Sequence, residues 1–503
     1  MMWALLLLAQ GADSPYVRRD LEGLRADWLA VAPPAFADAL DALCAHRAKS
    51  LRVAVVRTDD VAAKYGAGAP GIAALVAAAR PKFLLLAGDA DAVPTAVRPS
   101  EYASPSFAGD ADVATDHLFG AIAGRFPADT ADELRSMAAK TVEYETALPA
   151  GAWQKKVAFV TGEGGFGELV DLILELQFSQ AVTKGIPPAY DVEVAYAKPT
   201  SPYSTHPAKF NENTLRLINE GALFCAYVGH GQKRSFDDIR FKDASWPILE
   251  ARDAAKVEVR AGLPVMVVLA CHTGAFDSRA GDSIGEELFK RRRGPAAFIG
   301  GSRVTQPYGN ALLGRRLLER LFDPAVRTAG EALQQAKEAT LEKDESLFRR
   351  QCDAMAAMIQ GPGSLEPMRK DVVLHYNLLG DPALEIRRPR CTLPIETLGI
   401  PGPGRRLAVS VGARRGPVEV TFECPRNRFC HPVDLGGDAP LEERLARRYA
   451  HANDKVIARA AAAERDGKFE AELELPKDLK PGRYVVKASS EEAIGALEIE
   501  VPE

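Results

Sequence analysis

Cysteine is scarce in this chain: seven residues in 503, an odd number, with no CxxC or HExxH spacing. That excludes a disulfide-stapled scaffold and the common zinc patterns. Cys424 and Cys430 alone are spaced for a local bridge. Neither sign of charge dominates, since 63 Lys and Arg stand against 68 Asp and Glu, a net charge of −5. Nucleic-acid binding normally needs a concentrated basic surface, so no nucleic-acid partner is expected. Long hydrophobic runs are missing too. The N-terminal run, residues 1–9 (MMWALLLLA), is far short of the about 20 apolar residues of a membrane-crossing helix. No membrane span is expected. The run has the length of a signal h-region and meets an A-x-G pattern at Ala9-Gln10-Gly11, but no Lys or Arg precedes it. The expectation is a short leader over 1–24 and a secreted, periplasmic or cell-surface location, with the cytoplasm left open by the missing basic residues.

The rest of the composition, 47% hydrophobic and 26% charged, is that of a soluble globular protein. Disorder, collagen and coiled coil are excluded. The length suits about three domains at roughly 150 residues each. Short apolar runs at 28–32, 51–56 and 83–87 alternate with helical patterns, the last over about 132–146. A second set follows: VAFVTG (157–162), VEVAYA (192–197), ALFCAYVG (222–229), VMVVLA (265–270) and AAFIGG (296–301), with helices between them, for example 168–178 and 211–220. Alternation of this kind predicts two successive parallel-sheet α/β units, 25–150 and 151–388. A Pro/Gly-rich linker is expected at 389–406. Residues 407–503 read as short alternating strands with turn signals, an all-β sandwich of about 100 residues.

Two strands of the second unit end in reactive residues, His230-Gly231 and Cys271. Parallel strands present their carboxyl ends at one edge, where ligand crevices form. A His beside a Cys can take its proton and activate it as a nucleophile, and the amides of Gly231 and Cys271 are candidate oxyanion donors. A lone Cys is usually a small buried hydrophobe. The pair at successive strand ends, each meeting a Gly-containing turn, is what points to chemistry. Residues 162–167 (GEGGFG) also match GxGxxG between a strand and a helix, which would suit a dinucleotide. Glu163 would then oppose the pyrophosphate, and strand 192–197 ends toward Lys198 instead of an acid for the ribose. Glu163 could equally orient His230.

These residues sit in blocks that resemble the gingipain-like cysteine peptidases, relatives of caspases and legumain, over about residues 25–390. The blocks are AYVGHGQ (226–232), LACHTGAFD (269–277), AFIGGSRVTQPYG (297–309), FLLLAGDADAVP (83–94), TDHLFGAIAGRFPA (115–128), KTVEYE (140–145) and YNLLGDPALEI (376–386). The resemblance implies a caspase-like catalytic unit after a related subdomain, then an immunoglobulin-like domain. It implies a cysteine endopeptidase acting on a protein or peptide substrate, with Cys271 as nucleophile, His230 as acid/base, Gly231 and Cys271 as the oxyanion hole and Glu163 orienting the His. It puts an acidic pocket residue on the helix after the Glu163 turn, where Glu168 and Asp171 both stand. Tyr308 falls where gingipains place a pocket-wall Trp, and Phe236 where an aromatic is usual. The family's calcium leaves a structural calcium open, with 109–116 (GDADVATD) as the acid-rich loop; no metal ligands are assigned and no other cofactor is expected. Hydrolysis, transpeptidation or maturation by acyl transfer, and a surface binding protein on an inactive frame remain as alternatives.

Overall fold

The computed structural model describes residues 14–102, 111–165, 167, 175, 180–412, 416–433, 438–465 and 467–503. Residues 1–13 of the leader expected over 1–24, Glu168, Asp171 and most of the helix expected at 168–178 lie outside them.

The apolar runs become the strands of one large sheet. We number them β1 (Trp28–Ala32), β2 (Val53–Arg57), β3 (Phe83–Ala87), β4 (Ile122–Phe126), β5 (Lys156–Thr161), β6 (Asp191–Tyr196), β7 (Phe224–Val228), β8 (Val265–Leu269), β9 (Ala297–Gly301) and β10 (Tyr376–Leu379). Every residue of β1, β3, β9 and β10 is buried, which is why these strands read as unbroken apolar runs and not as alternating ones. The order across the sheet is β2-β1-β3-β4-β10-β9-β8-β7-β5-β6. The two α/β units therefore share a single sheet. β10 returns from the end of the second unit and inserts between them, parallel to β4 and antiparallel to β9. The units consequently run in opposite directions, and their carboxyl ends lie on opposite edges.

Two buried ionic clusters explain several of the sequence blocks. Arg125, fully buried, is bidentate to Asp116 at 2.8 Å through both bonds and also donates to the carbonyls of Gly88 and Val93. Arg47 lies between Asp381 at 2.7 Å and Glu145 at 2.7 Å, and Trp28 Nε1 donates to Asp381 at 3.0 Å. Asp381 and Glu145 come from the GDP and VEYE blocks, so this cluster ties β1, the helix Ala131–Thr146 and the end of β10 together.

An eight-stranded sheet follows, ordered Cys391–Thr392, Ala493–Val501, Gly482–Ser489, Val418–Glu423, Val456–Arg465, Lys468–Glu474, Arg406–Val411, Ile395–Leu398. Two of its strands, Cys391–Thr392 and Ile395–Leu398, lie inside the Pro/Gly-rich stretch expected to be a linker. The unit is also not all-β: helix Leu441–Asn453 is inserted, burying Leu445, Tyr449 and Ala452. These recur at near-helical spacing, a signal lost between the flanking β patterns. The helix meets the edge strand β6, where Asn453 accepts from Val194 N–H at 2.8 Å and donates to Val194 O at 3.0 Å. Arg426 adds four bonds to the carbonyls of Val182, Ile186, Pro187 and Tyr190. Among the described residues no single helix is long and apolar enough to cross a membrane.

Candidate active site

Register places the candidate residues. Thr161 of β5 pairs with Val228 of β7, and Val228 pairs with Leu269 of β8. Glu163, His230 and Cys271 each stand two residues beyond those positions, so three neighbouring strands deliver them at one level of one edge. Adjacent strands are about 4.8 Å apart, which suits proton exchange between their end residues. A Cβ at Gly231 would lie 2.8 Å from Cys271 O, 2.7 Å from Thr273 Cγ2 and 2.8 Å from Ala270 Cβ. Only glycine permits this approach of the His230 turn to the Cys271 turn.

Cys271 is half-buried. The loop after β9 embraces its sulfur: Thr305 N–H donates to Sγ at 3.3 Å and the thiol faces Thr305 O at 3.4 Å. The next residue, His272, adopts a left-handed φ of 56° and donates its N–H to Arg303 O at 3.1 Å. Such a conformation is costly for a non-glycine residue and persists only where its surroundings enforce it. Arg303 provides that enforcement, bidentate to Asp277 at 2.8 and 2.7 Å.

His230 is held through its backbone. The Tyr227 hydroxyl donates to His230 O at 2.7 Å and accepts from Asp237 N–H at 3.1 Å. Tyr227 is fully buried and stacks on Phe236 with ring centroids 4.0 Å apart. Phe236 is thus a floor beneath the His230 hairpin, 2% exposed, and not a solvent-facing wall. Tyr308 is also buried, at 8%, with its hydroxyl bonded to Asp353 at 2.6 Å and to Arg369 at 2.8 Å.

The Gly-rich turn wraps this cluster. A Cβ at Gly162 would meet Asp237 Oδ2 at 3.2 Å, and one at Gly165, where φ is +98°, would lie 3.7 Å from His230 Nε2. Crowding by Asp237, Tyr227 and Gly229 at the first, and the left-handed φ at the second, account for these two glycines without a pyrophosphate. Glu163 accepts from Arg240 N–H at 3.2 Å. Asp237, absent from the residues the sequence singled out, joins the group: burial raises its carboxyl, the Asp238 N–H and the nearby His230 pull it down, and Asp238 and Glu163 push it up. In the acid-rich loop, Asp112 is bonded to Arg303 at 3.1 Å and Asp116 to Arg125, so both carboxylates serve guanidinium groups and fit a cation poorly. Residues 109 and 110 lie outside the described set.

Comparison with known proteins gives a consistent picture. The profile of peptidase family C25 matches residues 22–387. No curated protein matches. The fold is similar to that of the Arg-specific cysteine proteinase gingipain R, with 16% identity over 96% of this chain and 98% of that one and a TM-score of 0.50. A complex of the pro- and mature domains of Porphyromonas gingivalis RgpB gives 15% identity, 94% and 99% coverage and a TM-score of 0.51. A structure described as a protease gives 16%, 96% and 98%, and 0.53. The chain belongs to peptidase family C25, the gingipain family, and is a cysteine-type peptidase.

Proposed function

We propose that the chain is an endopeptidase working through a Cys271–His230 dyad and an acyl-enzyme. The common level of the two residues on adjacent strands β7 and β8 carries this reading. The Cys271 thiolate attacks the substrate carbonyl carbon, and the N–H groups of Gly231 and Cys271 take the oxyanion. The imidazolium of His230 gives its proton to the leaving amine, and the C–N bond breaks. His230 then takes a proton from water, whose oxygen displaces sulfur and frees the acid product. Glu163 and Asp237 supply negative charge beside the imidazolium, and Tyr227 sets where the hairpin carrying it sits. The C-terminal sheet is read as immunoglobulin-like, and the apolar run at 1–9 supports export.

The test is cleavage of a P1-diverse fluorogenic peptide library by the wild type and by Cys271→Ala. Cleavage that vanishes in the variant supports the dyad and reveals the pocket preference. Equal cleavage by both refutes it. No cleavage by either, with Cys271 readily alkylated, moves the reading to acyl transfer.

A further inference from the structure

Behind the Cys271 thiol runs a chain of side chains that the peptidase reading leaves unused. Antiparallel pairing sets Tyr376, the first residue of β10, opposite Gly301, the last of β9. The loop that follows Gly301 is anchored at Ser302, whose N–H donates to His375 O at 2.8 Å and whose hydroxyl donates to Ala114 O at 2.8 Å. It then lays Thr305, 4% exposed, against the sulfur. Thr305 Oγ1 is 3.7 Å from Sγ, besides the N–H at 3.3 Å. Asn310, in the first turn of helix Pro307–Phe322, donates from Nδ2 to Thr305 Oγ1 at 2.9 Å. Its Oδ1 accepts from the fully buried Tyr376 hydroxyl at 2.8 Å.

The chain has a direction. The phenol proton goes to the amide oxygen, and an amide proton goes to the threonine oxygen. The single Thr305 hydroxyl proton then has two acceptors in reach, the sulfur at 3.7 Å and the Tyr376 oxygen, and an anionic sulfur is the stronger of the two. Two donors, the Thr305 N–H and O–H, therefore face Sγ. A neutral thiol returns only one weak S–H bond to Thr305 O, whereas donors to an anionic sulfur are charge-assisted.

We propose that Tyr376, Asn310 and Thr305 form a one-way donor relay that holds the Cys271 sulfur as an aimed thiolate between turnovers. The proposal rests on reading Cys271 as the nucleophile. No bond forms or breaks in the relay, and each proton stays on its own heavy atom. Tyr376 and Asn310 are positioning residues that act through Thr305. The ionisable groups around the thiol are Tyr227 and Tyr376 from the strands, His272 next in the chain and His230 from the neighbouring strand end. Burial raises both phenols, so they stay neutral across the working range.

The experiment is iodoacetamide alkylation of Cys271 in the full chain, read by mass spectrometry at pH 6 and pH 9. Thr305→Val keeps the shape and the backbone N–H but loses the hydroxyl. It should slow alkylation about fivefold at pH 6 and by less than about twofold at pH 9, where thiols ionise without help. Thr305→Ser should restore the pH 6 rate. Tyr376→Phe should shift the pH 6 to pH 9 ratio the same way by about twofold, and it remains informative should valine disturb the loop. Wild-type alkylation at pH 6 with an unchanged ratio in Thr305→Val and Tyr376→Phe overturns the relay alone. A wild type that resists alkylation at pH 6 overturns the peptidase reading and the relay with it.

Discussion

Substituting Gly231 with alanine perturbs the closest approach between the His230 and Cys271 turns. The added Cβ would stand 2.7 Å from Thr273 Cγ2 and 2.8 Å from Ala270 Cβ. Carbon atoms pack best at about 3.5–4.0 Å, so one turn must retreat by roughly 0.8 Å or more. Thr273 and Ala270 are both fully buried and have nowhere to go, so the His230 hairpin moves. Overpacking of this kind costs about 1–3 kcal/mol of stability. A displacement near 1 Å between reacting groups costs about 10²-fold in rate. Gly231→Ala should therefore lose about a hundredfold in kcat/KM on the best library peptide while its urea midpoint falls only modestly. Gly363→Ala is the control, because a Cβ there meets nothing within 4 Å. If Gly231→Ala keeps more than about a third of wild-type activity, the two turns are not in the contact from which the dyad was derived.

Other residues give further expectations. Tyr227→Phe preserves the stack on Phe236 but unties His230 O from Asp237 N–H; kcat should fall by about tenfold with KM nearly constant, and an unchanged kcat in steady-state assays argues against hairpin positioning. Asp381→Ala strips Arg47 of one buried partner and orphans Trp28 Nε1, so urea unfolding should show a loss of about 3–5 kcal/mol. Glu474→Ala, which breaks the exposed pair with Arg406, should cost under about 1 kcal/mol, and equal losses for the two variants contradict the burial argument. Burial lowers the Lys337 amine to about 7. The unfolded chain binds that proton below about pH 10 and the folded chain only below about pH 7, so the site destabilises as pH falls between them. Lys337→Met should thus gain stability fully below about pH 7 and hardly at all above about pH 10. A gain that is flat with pH in urea titrations refutes the assignment.

The strands were legible because a parallel sheet buried on both faces needs unbroken apolar runs, and β1, β3 and β9 contain little else. Their directions were not. The opposed units depend on where β10 inserts, a pairing between segments far apart in the chain that no local pattern encodes. His230, Cys271 and Glu163 stood out because each follows directly on such a run. Asp237 and Thr305 did not, since Asp and Thr are ordinary turn residues; only the hairpin 231–236 and the loop after β9 bring them in. Phe236 and Tyr308, each next to a motif in sequence, are buried, Phe236 stacked on Tyr227 and Tyr308 bonded to Asp353 and Arg369. The helix Leu441–Asn453 was missed because its period is short and both flanks are β.

The ends of the ten-stranded sheet matter for solubility. An open strand edge is a template on which a second molecule can build. Here each edge has its middle residue already paired. At β2 the segment around Val17 forms a single bridge, with Arg18 N–H on Val55 O and Val55 N–H on Tyr16 O. At β6 the amide of Asn453 imitates one peptide unit, filling both the donor and acceptor of Val194. A lone side chain copies a neighbour's hydrogen bonds but cannot pass the ladder on. The C-terminal unit thereby acts as a stopper, and cutting the chain ahead of it would turn a finished sheet into a growing one.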